Sequence, residues 1–395
     1  SPSLSFASTG TISWGVAKDP LPCSPHRHPL CVPRSLPRCP AATTVSMKGG
    51  DVPDGPQDDR GELKLRGHKV FYKVTKPNKF ARDHRLPVVI LHGGPGVPSD
   101  YLYPLSDALA ALPGGPRTCY LYDQLGCGLS SEPPDFGFYS PSQTARDCAD
   151  VLSHFADKCG LMAEGGFHLY GQSWGGCVAA ETVLAHFNDT DCLREGLRSV
   201  IFSGTPASPM LALETAGGLI DTYNAEIAGR DVEDMGMPEE WPRTKDFVDQ
   251  WCLQQANEKF VKTHNLRMDA QPEALNDAYS KQGTVWRGAK AVADYAITEE
   301  RFSARWPQKI PALCLRGEHD FVTIDNMVPF LEGAFFSEYV QLRGASHQAH
   351  LEDTAAYVAQ MDAYLRRVEA KWARQGHIKR ILEERMGEGM MMEEE

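Results

Sequence analysis

The most constraining stretch of this sequence lies between Phe167 and Phe187. A strand-sized run, Phe167 to Tyr170, gives way to Gly171-Gln172-Ser173-Trp174-Gly175-Gly176, and the Ala-, Val- and Leu-rich residues Cys177 to Phe187 then read as a helix. A chain that leaves a strand and enters a helix within so few residues has to turn sharply at Ser173, in a strained conformation that bulky neighbours would obstruct. Gly171, Gly175 and Gly176 remove the obstruction and leave the Ser173 hydroxyl exposed. The unit is strand, turn, helix, so the rest of the chain is expected to supply parallel neighbours for that strand.

Such neighbours can be read along the chain. Short apolar runs at Val70 to Val74, Val88 to Leu91, Cys119 to Tyr122, Val200 to Ser203, Ala312 to Leu315 and Tyr339 to Leu342 are separated by loops and, for the most part, by amphipathic stretches. Alternation of this kind predicts an α/β protein, a mostly parallel sheet with helices on both faces. One interval breaks it: residues 206–307 carry helix-like patterns only and read as an inserted helical cap, which leaves 61–205 and 308–386 as the core. The insert holds four of the seven Trp (Trp241, Trp251, Trp286, Trp306) and 17 acids against 11 basic residues. Most of those aromatics are expected to form the insert's own small core, and a few to line a pocket against the sheet. Residues 354–386 read as a long helix or helix pair, and 387–395 as a frayed acidic tail.

The first fifty residues are of another kind, with eight Ser, eight Pro, five Lys or Arg and one acid, Asp19. Residues 1–60 therefore read as a leader of the plastid or other organelle transit type, since no apolar stretch of secretory length is present. The alternative is a disordered tail ahead of an internal start at Met47, with a cytoplasmic location. Within the leader, Cys23, His26, His28 and Cys31 have a zinc-like spacing, but prolines interleave them and no metal site is expected. The net charge of −12, with no compensating basic stripe, disfavours nucleic acid as a partner. No apolar run reaches the roughly 18 residues of a membrane-spanning helix. Eleven Cys, an odd number without a framework of short spacings, read as reduced thiols.

A serine hydroxyl becomes a useful nucleophile only when a base takes its proton and a third group fixes that base. On a sheet of this kind the partners follow in the order Ser, acid, His, in loops after later strands. Asp320, in Arg316-Gly317-Glu318-His319-Asp320, and His347, in Gly344-Ala345-Ser346-His347, fit those positions, with Glu318, His319 and His350 as close competitors. A third signal is His92-Gly93-Gly94-Pro95-Gly96 directly after the run Val88 to Leu91. Its Gly94 N–H, with that of Trp174, is expected to face a developing oxyanion.

The His92-Gly-Gly-Pro-Gly96 loop, the segment Tyr122-Asp123-Gln124-Leu125-Gly126-Cys127-Gly128-Leu129-Ser130 and the Ser173 turn followed by Trp174 together resemble the prolyl aminopeptidases (proline iminopeptidases) of the α/β-hydrolase superfamily, over about residues 65 to 368. The resemblance implies an α/β-hydrolase fold with a helical cap, Ser173, Asp320 and His347 as the triad, and removal of an N-terminal residue, typically Pro, from a short peptide without metal or organic cofactor. It also implies cap acids that bind the free α-amino group. The matching segment here, Gln282 to Arg287, has none, so Glu214, Glu258 and Asp294 are the candidates, with Trp286 beside them as a substrate-binding residue. That departure keeps open an amidase or esterase acting on amino-acid amides, esters or a small specialised metabolite. A non-catalytic ligand-binding protein of the same fold is the reading from another class. An epoxide hydrolase or dehalogenase would need a carboxylate where this chain has Ser173.

Overall fold

The computed structural model describes residues 55–391 apart from residue 239, with side chains to residue 377. The expected leader, including Cys23, His26, His28 and Cys31, lies outside the described residues, apart from its last six positions. Eight strands form one sheet: β1 (Gln57–Leu65), β2 (His68–Lys76), β3 (Arg85–Leu91), β4 (Arg117–Tyr122), β5 (Phe167–Gln172), β6 (Leu197–Ser203), β7 (Ala312–Gly317) and β8 (Ser337–Leu342). Their order is β1-β2-β4-β3-β5-β6-β7-β8. The β1–β2 and β2–β4 pairings are antiparallel and all others parallel.

Each central strand divides its side chains between two cores, as the two-residue period of a strand requires. Val89, Leu91, Leu169, Val200, Phe202 and Cys314 join one buried cluster, while Val88, Ile90, Tyr170, Ile201, Leu313 and Leu315 join the other. The first is closed by α2 (Pro141–Lys158) and α3 (Trp174–His186), the second by α1 (Tyr103–Ala110) and α11 (Thr354–Met391). Helix α2 starts where its sequence says it should: the Ser140 hydroxyl accepts the Gln143 N–H at 3.1 Å and Pro141 occupies the first turn. Helix α11 is fastened to the sheet by charge as well. The fully buried Arg117 at the start of β4 pairs with Asp362 and Glu369 of that helix and donates to the Leu86 carbonyl at 3.0 Å.

Between β6 and β7 the chain forms α5 (Pro209–Ala228), α6 (Lys245–Phe260), α7 (Glu273–Ser280) and α8 (Glu299–Arg305), after α4 (Asp191–Gly196) and before α9 (Ile324–Gly333) and α10 (Ala349–Glu352). Its tryptophans do not form one core. Trp241 and Trp251 pack edge to face on each other, whereas Trp286 and Trp306 join the main sheet cluster against Tyr139 and Phe202. Two further differences are matters of extent. Strand β1 begins at Gln57, inside the span read as leader, and α11 runs as one helix to Met391, past the expected start of a frayed tail at 387. No helix among the described residues is long and apolar enough to cross a membrane.

Candidate active site

The loops at the carboxyl ends of β3, β5, β6, β7 and β8 meet at one edge of the sheet. Between β5 and α3, Ser173 takes φ 53°, ψ −123°, a left-handed conformation that a side-chain-bearing residue rarely adopts. It is held from both sides: its N–H donates to the Ser203 carbonyl at 2.8 Å and its carbonyl accepts the Gly176 N–H at 3.0 Å. The neighbouring glycines are a packing requirement. A Cβ on Gly175 would lie 2.2 Å from the Leu91 carbonyl oxygen, and one on Gly176 would lie 1.9 Å from Thr205 Oγ1.

After β7 and β8, Asp320 and His347 are both buried and joined by a hydrogen bond, Nδ1 to Oδ1, at 2.8 Å. A carboxylate can only accept, so Nδ1 carries the proton of this hydrogen bond, and Nε2 has no partner among the described residues. Asp320 Oδ1 also accepts the Val322 N–H at 2.8 Å, and the Phe321 ring packs 4.5 Å from the His347 ring. Asp320 Oδ2 is buried without a partner among the described residues and faces the backbone of Gly204, where a Cβ would come within 2.7 Å of it. The competitors sit elsewhere. Glu318 is turned to the Gly344 N–H at 2.8 Å, and His350 is fully buried against Tyr101 and Tyr357, where burial pushes its pKa down to about 3. No hydrogen bond joins Ser173 Oγ to His347 among the described residues; such bonds are often long in ligand-free sites and tighten with substrate.

The His92 to Gly96 loop is ordered by side chains that sequence reading gave no role. The buried Tyr101 hydroxyl accepts the Gly93 N–H and donates to Gln172 Oε1, both at 2.7 Å, so it ties this loop to the residue before Ser173. Gln172 Nε2 in turn reaches the His347 carbonyl at 3.4 Å. Tyr101 thereby occupies the Gly93 N–H, whereas the Gly94 N–H has no partner among the described residues. The Gln124 N–H donates to His92 Nε2 at 2.8 Å, which fixes a neutral His92, and burial holds that imidazole below its ordinary pKa against the pull of Asp123. Gln124 Oε1 accepts from Trp174 Nε1 at 3.3 Å, while Asp123 accepts the Ser99 N–H and hydroxyl at 3.0 and 2.7 Å. The Asp123-Gln124 pair is thus the scaffold of the site, a role that its membership of a motif only hinted at.

Two of the insert's contacts with this edge are made through backbone hydrogen bonds. Gly283 and Gly288 donate to the carbonyls of Gly96 and Pro95 at 2.8 and 2.9 Å, and Gly128 donates to the Lys281 carbonyl at 3.0 Å. Glu132 caps the same segment by accepting the N–H groups of Thr284 and Val285; those bonds hold its carboxyl below the usual range despite the opposing effect of burial. At the other contact, the His347 and Gln348 N–H groups donate to the carbonyls of His264 and Asn265 at 3.1 and 3.0 Å. Trp286 is brought to the site, stacked on Tyr139 and edge-on to Trp174. Glu214, Glu258 and Asp294 lie exposed on the insert, without a hydrogen bond or ion pair to Ser173, Asp320 or His347 among the described residues. No cluster of three or more His, Cys, Asp or Glu that could hold a metal occurs among the described residues, and the eight described cysteines are free thiols.

Comparison with known proteins follows the same lines. The family described as alpha/beta hydrolase fold matches residues 87–354. The proline iminopeptidase of Lactobacillus helveticus (strain DPC 4571) is 27% identical over 314 residues, covering 77% of this chain and 97% of that protein. The proline iminopeptidase of Thermoplasma volcanium is 28% identical over 316 residues, covering 75% and 93%. Among solved structures, the crystal structure of a proline iminopeptidase from Mycobacterium smegmatis matches with a TM-score of 0.63 at 24% identity, over 79% of this chain and 99% of that one, a likeness of fold.

Proposed function

This chain belongs to the α/β-hydrolase family, and from that premise we propose that it is a serine hydrolase whose reaction is release of N-terminal proline, or another small residue, from short peptides. The observation that carries the chemistry is the buried Asp320–His347 hydrogen bond at the same sheet edge as the strained turn at Ser173. His347 Nε2 takes the Ser173 proton as Oγ attacks the scissile carbonyl. The N–H groups of Gly94 and Trp174 receive the oxyanion; occupation of the Gly93 N–H by Tyr101 supports Gly94 as the donor from that loop. Collapse of the tetrahedral intermediate breaks the C–N bond, and the departing amine takes its proton from His347. Water then gives a proton to His347 and attacks the acyl-serine, releasing the amino acid and restoring Ser173.

The substrate assignment is supported by relatives that are themselves proline iminopeptidases and match nearly their whole length. In it the insert, 206–307, acts as the cap, Trp286 packs beside the acyl pocket, and a carboxylate among Glu214, Glu258 and Asp294 neutralises the substrate's α-ammonium. A second reading, an amidase or esterase indifferent to a free amine, is favoured by one observation: the segment 282–287 carries no acid, and two of its backbone N–H groups are already capped by Glu132.

Hydrolysis of Pro-, Ala- and N-acetyl-Pro-arylamides beside a short-chain aryl ester separates the two. Cleavage confined to the free-amine arylamides supports the aminopeptidase, and equal rates with the N-acetylated substrate refute it in favour of the second reading. Ser173→Ala is expected to abolish turnover and labelling by a fluorophosphonate in a protein that still folds. Retention of more than about 1% of the wild-type rate would overturn the triad, because loss of a serine nucleophile costs several powers of ten.

A further inference from the structure

Between α6 and α7 the chain makes a single wide turn, Val261–Asn265, closed by the Leu266 N–H on the Val261 carbonyl at 2.9 Å. Turns of this i to i+5 type recur at functional sites because they present backbone groups that an ordinary helix would consume. Here the carbonyls of His264 and Asn265 accept the N–H groups of His347 and Gln348. The His264 side chain reaches the other partner of the pair. Its Nδ1 lies 2.7 Å from the carbonyl of His319, the residue before Asp320. A carbonyl can only accept, so Nδ1 bears the proton and Nε2 accepts the Tyr223 hydroxyl at 2.8 Å. The ring stacks on Tyr223 with centroids 5.9 Å apart and packs at 5.6 Å on Phe260, which packs on Phe321, the residue after Asp320. One residue of the insert thus holds the backbone on both sides of the Asp320–His347 hydrogen bond, and none of the contacts involves Ser173 or Nε2 of the His347 ring.

We infer that His264 is a positioning residue for the hydrolytic reaction: its Nδ1–H and the carbonyl above it set the separation and orientation of Asp320 and His347, so that the insert must be seated for the pair to work. The inference rests on the proposed serine-hydrolase reading. Tyr223 on α5 fixes the tautomer and rotation of the His264 ring, as an outer partner does for any histidine whose other nitrogen is in use.

The test uses the full chain, kcat and KM for whichever arylamide or ester of the panel above the wild type turns over fastest, thermal melting, and a paired comparison in the Asp320→Asn background. His264→Phe keeps a ring to stack but loses both hydrogen bonds; it is expected to lower kcat about 10- to 100-fold, with KM changed by no more than about threefold. His264→Asn, which still presents an N–H toward His319, is expected to recover most of that loss. In Asp320→Asn the same His264→Phe change is expected to cost less than about twofold, since residues acting through one another are non-additive. Tyr223→Phe, which removes only the hydroxyl, is the variant to rely on if His264→Phe does not fold, and is expected to lower kcat about threefold in the wild-type background alone. Wild-type kcat in His264→Phe, or the same factor lost in both backgrounds, overturns the inference while leaving the triad intact. Activity surviving in Ser173→Ala overturns the triad and the inference with it.

Discussion

Gly204 follows β6 in the left-handed region, φ +49°, with its α-carbon turned toward the Asp320–His347 pair. Gly204→Ala therefore imposes two separable costs. The first is conformational: an alanine in that region is strained by about 1–2 kcal/mol. The second is contact, since the new Cβ would stand 2.7 Å from Asp320 Oδ2 and 3.1 and 3.2 Å from Nδ1 and Cε1 of His347. An ordinary contact needs the carboxylate to retreat by roughly 0.7 Å, on the scale at which misplaced reacting groups lose about 10²-fold in rate. Gly67→Ala, in the β1–β2 turn at φ +81° with nothing within 4 Å, carries the first cost without the second. Both variants are expected to melt a few degrees lower, at about 2–4 °C per kcal/mol. Only Gly204→Ala is expected to lose about 100-fold in kcat/KM for the fastest-cleaved substrate of the panel. Equal activity in the two variants, or a loss in both that tracks melting temperature, would refute the reasoning.

Two further outcomes follow from buried groups. His168, whose Nδ1 accepts from the Ser199 hydroxyl at 2.7 Å, and His350 are pushed by burial to about 4 and about 3, so both stay neutral in the fold while the unfolded chain protonates them near 6.5. Because the unfolded state binds more protons in that window, stability is complete above about pH 6.5 and falls toward pH 4, at about 1.4 kcal/mol per unit for each group, or ~5 kcal/mol for both by pH 4.5. Urea unfolding at pH 7 and 4.5 measures this, and equal stabilities would contradict it; Glu369, held near 2 mainly against burial by His168 and Arg117, adds its own loss only below about pH 4.5. Tyr101→Phe leaves the Gly93 N–H and Gln172 Oε1 without their partner and is expected to lower kcat about tenfold with little change in KM, a buried hydrogen-bonding group costing ~1–3 kcal/mol when orphaned. Unchanged kcat in a folded Tyr101→Phe protein would remove it from the machinery that orders the Gly94 loop.

What the sequence disclosed, it disclosed through local necessity. The turn at Ser173 is legible because glycines must stand where a Cβ would meet Leu91 or Thr205, and the loops bearing Asp320 and His347 are legible because their strands are short apolar runs. Strand β1 escaped because Gln57 to Leu65 is a polar edge whose buried side chains are only Leu63 and Leu65, too few to announce an alternation. The sequence expected most of the insert's aromatics to form its own core and singled out Trp286 for the pocket, but nothing near Trp286 or Trp306 in the sequence points to Tyr139, Trp174 or Phe202, which they meet only in the fold. Tyr101, Gln172 and His264 act through partners far along the chain, the Gln172 side chain and the His347 and His319 carbonyls, and such partnerships leave no spacing to read. Gln124 alone had a signal, its place in the Asp123 to Ser130 segment.

Two of the seams between insert and core, those at the candidate site, also divide the chain by how freely it can change. Residues 281–288 are stitched to the Gly96 and Gly126 loops, where even a single Cβ on Gly283 would fall 1.9 Å from a carbonyl oxygen, and residues 264–265 are stitched to the His347 loop. Between β6 and the second seam, α5 and α6 carry Met210, Leu211, Phe247 and Leu253 exposed to solvent. Exchange of that span for the corresponding helices of a relative should therefore be tolerated as a cassette provided that Tyr223 and Phe260, which hold His264, are kept, redrawing the mouth of the site while the stitched segments keep its chemistry in register. Diversity in what such proteins admit would accumulate in α5 and α6, and uniformity at the seams.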